Sequence, residues 1–221
     1  MLLEFMQKGG PMMWFILLCS VLAGAVFLER LLYFHRISVR VGDFMRGLGN
    51  LIRGRNYAEA QMEAAATNGP VQRVVHAAII RHNAPRQDLK EIVQEAGQLE
   101  VPKLERRLGV LATLAFLTPM LGLLGTVAGL IEAFQSMAAT AGLASSAEIA
   151  NGIYQSLITT AAGLAVCIPC AIGYTYLSAR VNAAMHDMER AGIEVVNLLI
   201  ESRQQPDIIE FGEARQRSEG R

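Results

Sequence analysis

The chain has 221 residues, 52% of them hydrophobic and 18% charged, with a mean hydropathy of +0.30 and a formal net charge of +0. This composition is too apolar for a typical soluble domain and indicates a membrane protein. Lys and Arg are not concentrated in any tract with interleaved aromatic residues, so the sequence carries no nucleic-acid-binding signature.

The first apolar run extends from Gly9 to Leu28. A helix of this length crosses a hydrocarbon core of roughly 30 Å. A cleaved signal peptide is the alternative, but Glu29 and Arg30 follow the run where a small-residue cleavage site would be needed. We therefore predict that residues 1–34 form a periplasmic N-terminus and a first transmembrane helix. Glu29 and Arg30 are interpreted as a mutually paired or snorkelling couple at the interface, and a functional role for Glu29 is the alternative.

Residues 35–107 are predicted to form a cytoplasmic helical loop. This segment carries twelve Lys and Arg and is rich in good helix formers. Apolar residues at helical spacing predict helices over 43–68 and 71–106, with breaks near Gly69-Pro70 and Ala84-Pro85.

Two longer runs follow, from Leu108 to Ile131 and from Ile149 to Ala179, and neither contains a charged residue. Each is long enough to span a bilayer. We assign a second transmembrane helix to 108–137, a short periplasmic loop to 138–150 and a third transmembrane helix to 151–179, with the two helices forming an antiparallel hairpin.

Residues 180–221 are predicted to continue the third span as a cytoplasmic amphipathic helix until Pro206, followed by a charged tail. Six Lys and Arg follow Ser178, whereas the 138–150 loop has none. The excess of positive charge on the long loop and the C-terminal segment places both in the cytoplasm, and it leaves the N-terminus and the short loop on the outer side of the membrane.

Small residues recur at steps of three and four along the second and third spans, a pattern that allows close helix contact in lipid. The predicted packing residues are Gly122, Gly125, Gly129, Gly152 and Gly163. Two mid-span prolines, Pro119 and Pro169, each remove a backbone hydrogen bond and kink the helix. Packing explains these kinks, and a gating or coordinating role is the alternative.

Polar side chains share the small-residue faces: Thr126 in the second span, and Gln155, Ser156, Thr159 and Thr160 in the third. Two interpretations are equally consistent with the pattern. Either each hydroxyl bonds to a carbonyl one turn back in its own helix, or these groups line a hydrated lumen formed by several copies.

Glu132 is the acidic residue of the hairpin near membrane depth, and it is interpreted as either lumen-facing or interfacial.

No catalytic, metal-binding or cofactor-binding residues are predicted. Cys19, Cys167 and Cys170 lie in apolar runs and are interpreted as packing residues, and the four histidines are too dispersed to form a metal or catalytic cluster.

Residues 121–129, which read L-G-L-L-G-T-V-A-G, resemble the G-L-x-G-T-V-x-G signature of the ExbB/TolQ/MotA proton-channel family. Residues 152–169 are similar to the third-span signature of that family. The resemblance implies an all-α membrane protein of the bacterial inner membrane, assembled as a homopentamer around a central pore and energising transport or envelope maintenance at the outer membrane. Expected partners are membrane lipid, a single-span subunit resembling ExbD or TolR, and a periplasm-spanning protein similar to TonB or TolA.

In the family the pore-facing threonines correspond to Thr126 and Thr160. Gln155 stands where many members carry a glutamate, and a neutral amide cannot bind the transported proton. The resemblance therefore implies that the titrating acid is an aspartate of the partner, with Glu132 as a weaker alternative. Sodium coupling, as in a stator of the same family, and a purely structural scaffold remain alternatives. A flagellar stator is disfavoured because such relatives have four spans, and a secondary transporter is disfavoured because such folds usually need inverted repeats and more helices.

Overall fold

The structure is a computed structural model that describes residues 9–38, 41–139 and 146–204. Within these ranges the chain forms seven α-helices and no strand, which confirms the all-α class. The helices are α1 (Gly10–Ser38), α2 (Val41–Arg53), α3 (Tyr57–Ala66), α4 (Pro70–Ile80), α5 (Arg86–Glu105), α6 (Leu108–Ala139) and α7 (Ser146–Gln204).

Three parts of the described chain are long and apolar enough to cross a membrane, as predicted: they lie in α1, in Arg86–Ala139 and in Ile149–Gln204. In the second of these the charge-free part is 108–131, so α5 lies outside the apolar span. Large apolar side chains such as Phe116, Leu123 and Phe134 are exposed on α6, as expected for helices that face lipid or other subunits.

By its internal contacts the chain divides into two compact units. The first comprises residues 1–33 and 105–179, and therefore holds most of α1, all of α6 and the N-terminal part of α7. The second comprises residues 34–104 and 180–221. The functional candidates of the apolar spans all belong to the first unit.

The first unit is built on one buried stripe along α6, formed by residues at steps of three and four. Its members are Leu108, Leu111, Leu114, Thr118, Gly122, Gly125, Gly129 and Ala133. On α7 the buried residues of this unit include Ser156, Thr159, Gly163 and Cys170. The stripes contain few large side chains, so the helix backbones can approach each other closely.

The second unit has its own core, in which Leu48 and Ile52 of α2, Ile79 of α4, Leu89 of α5 and Leu199 of α7 are almost fully buried. α2 is strongly amphipathic and buries one face, which is typical of a helix packed on one side.

The predicted helix over 43–68 is wrong in one respect, because it is interrupted at residues 54–56. Gly54 is a poor helix former, and Arg55 adopts a left-handed conformation with φ 57°. The amide of Asn56 then donates to the carbonyl of Leu51 at 3.0 Å, which closes α2 before α3 begins. The predicted breaks near Gly69-Pro70 and Ala84-Pro85 are confirmed.

Three further boundaries differ from the predictions. α1 extends beyond residue 34 to Ser38, whereas the turn at Arg106 and Arg107 (φ 69° at Arg107) lies directly before the predicted start of the second span at residue 108. α6 and α7 both extend into the predicted 138–150 loop, ending at Ala139 and beginning at Ser146. Residues 140–145 and the predicted helix end at Pro206 lie outside the described residues.

Candidate functional site

The glycines of α6 and α7 lie where the two helix backbones touch. A Cβ placed on Gly122 would lie 3.1 Å from the Cα of Thr160, and one on Gly129 would lie 3.0 Å from the carbonyl oxygen of Gly152. A Cβ on Gly163 would come within 2.7 Å of the Thr118 carbonyl oxygen. Because these neighbours are backbone atoms, no side chain can move aside, and only glycine permits this approach.

Gly125 and Gly152 complete the same interface. A Cβ on Gly125 would overlap the side chain of Thr159, and one on Gly152 would lie 2.9 Å from the Cβ of Ala133. All five glycines predicted to pack the helices are thus at the contact between α6 and α7.

A small cluster of hydroxyls lies at the edge of this contact. The hydroxyls of Thr126 and Thr160 touch each other across the two helices. The Gly122 carbonyl oxygen lies 3.1 Å from each hydroxyl, and the Thr160 hydroxyl also lies 3.2 Å from the carbonyl oxygen of Ser156. Both threonines are only partly buried, so the cluster borders the surface of the protomer.

The Thr126 and Thr160 hydroxyls have more acceptors than protons. Each hydroxyl carries one proton, whereas the two backbone carbonyls and the two hydroxyl oxygens can all accept. The pair can therefore exchange hydrogen-bond partners by rotating hydroxyl protons, without any movement of the helices. A chain of such groups is suited to relaying a proton or coordinating a partly dehydrated cation.

Thr159 and Ser156 lie deeper, and each is only 1% exposed. The Thr159 hydroxyl is 2.8 Å from the carbonyl oxygen of Gln155 and 3.1 Å from that of Gly9, next to the start of α1. The Ser156 hydroxyl donates to the carbonyl of Ile153 at 2.7 Å. Both hydroxyls thus have partners inside the protomer, and their lining of a lumen stays a prediction.

Gln155 lies against the first turn of α1. A Cβ on Gly10 would be 2.5 Å from the Nε2 of Gln155, and Gly10 has φ 69°, a conformation that disfavours any other residue. The amide is therefore half-buried beside α1.

The two prolines lie inside continuous helices, Pro119 in α6 and Pro169 in α7. The residue before Pro119 is Thr118, whose side chain is fully buried and whose hydroxyl has no hydrogen-bond partner among the described residues. Thr118 is not among the site residues predicted from the sequence. Its importance could have been inferred from the sequence, because Thr118 lies on the same helix face as Gly122 and Gly125 and directly before Pro119.

Of the two interpretations of Glu29 and Arg30, mutual pairing is not found among the described residues, and snorkelling stays a prediction. Glu29 forms an ion pair with Arg107 of the turn before α6, while the guanidinium of Arg30 is buried 5.3 Å from the ring centre of Tyr33. The pair with Arg107 could not be predicted from local sequence, because Arg107 lies 78 positions after Glu29. Glu132 is exposed near the end of α6, and its role stays a prediction.

The cysteines are free thiols within the apolar helices, with Cys19 and Cys170 buried and Cys167 half-buried. No group of three or more metal-binding side chains exists among the described residues.

Comparison with known proteins identifies similar chains. A family model described as the MotA/TolQ/ExbB proton channel family matches residues 60–190. An ExbB homolog of Methanothermobacter thermautotrophicus is 29% identical over 85% of this chain and 66% of its own length, so just under two thirds of that relative is spanned. The biopolymer transport protein exbB1 of Vibrio cholerae is 31% identical over 90% of this chain and 88% of its own length. The Tol-Pal system protein TolQ of Haemophilus influenzae is 43% identical over 40% of this chain and 38% of its own length.

Proposed function

The chain belongs to the MotA/TolQ/ExbB proton channel family, and on this basis we propose that it is the ion-conducting subunit of a motor in the bacterial inner membrane. Several copies assemble with α6 and α7 around a central pore, because three spans of one protomer cannot enclose one, and the resemblance to the family sets their number at five. The motor couples ion flow to transport or envelope maintenance at the outer membrane.

The contact between the Thr126 and Thr160 hydroxyls carries this proposal. It places exchangeable hydrogen bonds at the edge of two helices whose spans carry no charged residue from 108 to 131 and from 149 to 179. In hydrocarbon, polar groups of this kind need protein or water as partners. Each hydroxyl already has a carbonyl acceptor inside the protomer, and the partly buried position of the two side chains leaves their oxygens accessible to a neighbouring copy or a hydrated pore.

The proton-binding acid belongs to the partner subunit in this proposal. Gln155 cannot titrate, and its amide lies against α1 near Gly10. A single-span subunit resembling ExbD or TolR supplies an aspartate inside the pore, where Thr126 and Thr160 deliver the proton. Sodium is the alternative ion, because hydroxyl and carbonyl oxygens also suit a hard cation.

The driving force is sufficient for this task. One elementary charge crossing the membrane is worth about 2.3 kcal/mol per 100 mV. That energy shifts the equilibrium between two arrangements of the partner's single helix inside the pore by more than about tenfold. The resulting movement acts on a periplasm-spanning partner similar to TonB or TolA. In this arrangement the N-terminus and the α6–α7 connection face the periplasm, and the C-terminus faces the cytoplasm.

The test is proton entry into liposomes that contain the chain co-purified with its single-span subunit, driven by a potassium diffusion potential and read with an enclosed pH dye. We expect Thr126→Val and Thr160→Val to reduce the rate by at least about tenfold, the cost of one lost charge-assisted hydrogen bond. Both variants should elute at the size of the wild-type assembly, because valine fills nearly the same space.

Two threonines provide matched controls. The hydroxyls of Thr113 and Thr175 are exposed and donate within their own helices, to Gly109 at 2.8 Å and to Ala171 at 2.9 Å. Thr113→Val and Thr175→Val should conduct like the wild type. Unchanged conduction in Thr126→Val and Thr160→Val would refute the proposal, whereas disassembly of these variants would favour a structural scaffold. Sodium entry in the same liposomes without proton entry, read with a sodium-sensitive dye, would identify a sodium-coupled stator.

A further inference from the structure

The second unit contains an open groove of ≈ 620 Å³ between α5 and the C-terminal part of α7. Most of its lining is apolar, and the basic side chains of Arg86 and Lys90 lie at the end where α5 begins. The apolar lining includes Val93, Gly97, Val101, Met185, Met188 and Ile193. Ile193 is 58% exposed although it lies in this groove, so the described chain leaves apolar surface uncovered there.

Two glycines of the groove differ in their surroundings. A Cβ on Gly192 would overlap the side chain of Val93, so this glycine is explained by the close packing of α5 and α7. A Cβ on Gly97 would meet no atom within 4 Å. A glycine inside a helix costs about 1 kcal/mol relative to alanine, and at Gly97 no neighbour in the described structure requires that cost. The groove therefore has open space above Gly97 that a ligand outside the described residues can occupy.

We propose that residues 207–211 of the same chain, which read D-I-I-E-F, bind in this groove. Two hydrogen bonds hold the end of α7 close to the basic end of the groove. The guanidinium of Arg203 donates to the Ala84 carbonyl at 2.9 Å, and that of Arg86 donates to the Asn197 side chain at 3.0 Å. The chain thus leaves α7 beside the groove.

The tether length matches the groove. Ile193 lies eleven residues before Gln204, which is about 16 Å along the helix. The seven residues that follow Gln204, 205–211, can extend over about 23 Å, so the Phe211 ring can reach the space above Gly97. A short tether gives an effective concentration on the order of 1 mM, so a site with a free-peptide Kd of about 0.1 mM would be about nine-tenths occupied.

The acidic residues of the segment complement the basic end of the groove, and the acidic residue of the lining, Glu189, lies about two turns before Asn197 on α7, away from that end. Asp207 and Glu210 approach the end that carries Arg86 and Lys90. Exposed ion pairs of this kind are weak, so they orient the segment, and burial of the Ile208, Ile209 and Phe211 side chains provides the affinity.

The first experiment is disulfide formation in the full chain carrying Gly97→Cys and Phe211→Cys. The control pair replaces Gly97→Cys with Leu99→Cys, on the same helix, where the native leucine is 70% exposed and does not line the groove. With a water-soluble oxidant the first pair should form an intrachain disulfide at least about tenfold faster than the control, as expected for a docked segment compared with a merely tethered one. The native cysteines lie in the apolar spans and should not compete.

The second experiment fills the groove. Gly97→Leu adds a side chain where the structure has open space and replaces a poor helix former by a good one, so folding is retained. In the wild type, ending the chain at Gln204 should increase amide hydrogen exchange at residues 185–197. In the Gly97→Leu background the same truncation should have no effect.

Equal disulfide rates for the two pairs would overturn the proposal, as would hydrogen exchange that is unchanged by truncation of the wild type. Disulfide-linked dimers in place of the intrachain product would also overturn it, because a second copy would then be the occupant.

Discussion

Gly163→Ala is expected to separate α6 from α7. The added Cβ would lie 2.7 Å from the Thr118 carbonyl oxygen and 3.1 Å from the Cα of Gly122, whereas ordinary contacts begin at 3.4 Å. Both neighbours are backbone atoms of α6, so the helices must move apart by about 0.7 Å. Overpacking of this kind costs about 1–3 kcal/mol, which corresponds to a 5- to 150-fold change in the folding equilibrium.

The measurement is unfolding in mixed detergent micelles at increasing dodecyl sulfate fraction, followed by circular dichroism. Gly109→Ala is the matched control, because it adds the same atom to α6 with nothing within 4 Å, and it should be neutral or stabilising by up to about 1 kcal/mol. If Gly163→Ala proved as stable as Gly109→Ala, the close approach of the backbones at this position would be refuted.

Two further substitutions test buried polar groups. Glu100 is 5% exposed, with Arg73 at 2.6 Å and Lys103 at 2.7 Å. Burial raises the pKa of Glu100, but hydrogen bonds from Arg73 and Lys103 lower it more, so the folded-state pKa lies below the ordinary value. The carboxylate therefore stabilises the fold above its unfolded-state pKa of about 4.3 and loses this effect as the pH falls through the folded-state pKa. Glu100→Gln should cost about 1 kcal/mol at neutral pH and remove that acid-dependent loss in thermal unfolding, whereas Glu95→Gln, at an exposed position of the same helix, should behave like the wild type. Thr118→Val should stabilise the protein by up to about 1 kcal/mol in the micelle assay, because it removes a buried hydroxyl that has no hydrogen-bond partner in the described structure; a loss of stability would reveal a partner in the assembly.

Much of the architecture follows from local sequence. The uncharged runs after Gly9, Leu108 and Ile149 gave three spans because their length is set by bilayer thickness. Pro70 begins α4, as expected for a proline at the first helical position. The break at Arg55 was missed because arginine is a good helix former, and its left-handed conformation depends on the bonds that close α2 rather than on its own preference.

The site was predictable only in part. Spacing of three and four placed Gly122 and Gly125 on one face of α6, and that periodicity is local. The rotation of α6 relative to α7, which brings the Thr126 and Thr160 hydroxyls together but buries the Thr159 hydroxyl near Gly9, depends on contacts between distant segments. A sequence pattern read one helix at a time contains no such information.

Pro169 bears on which side of α7 meets lipid. Because proline has no amide hydrogen, the carbonyl of Ala165 lacks its usual donor one turn later. Both residues are exposed in the single chain, and acyl chains offer nothing that could bond to an oxygen. A donor from water, from another subunit or from a local adjustment of the helix has to replace the missing amide, and the first two are available only where this side of α7 is shielded from acyl chains.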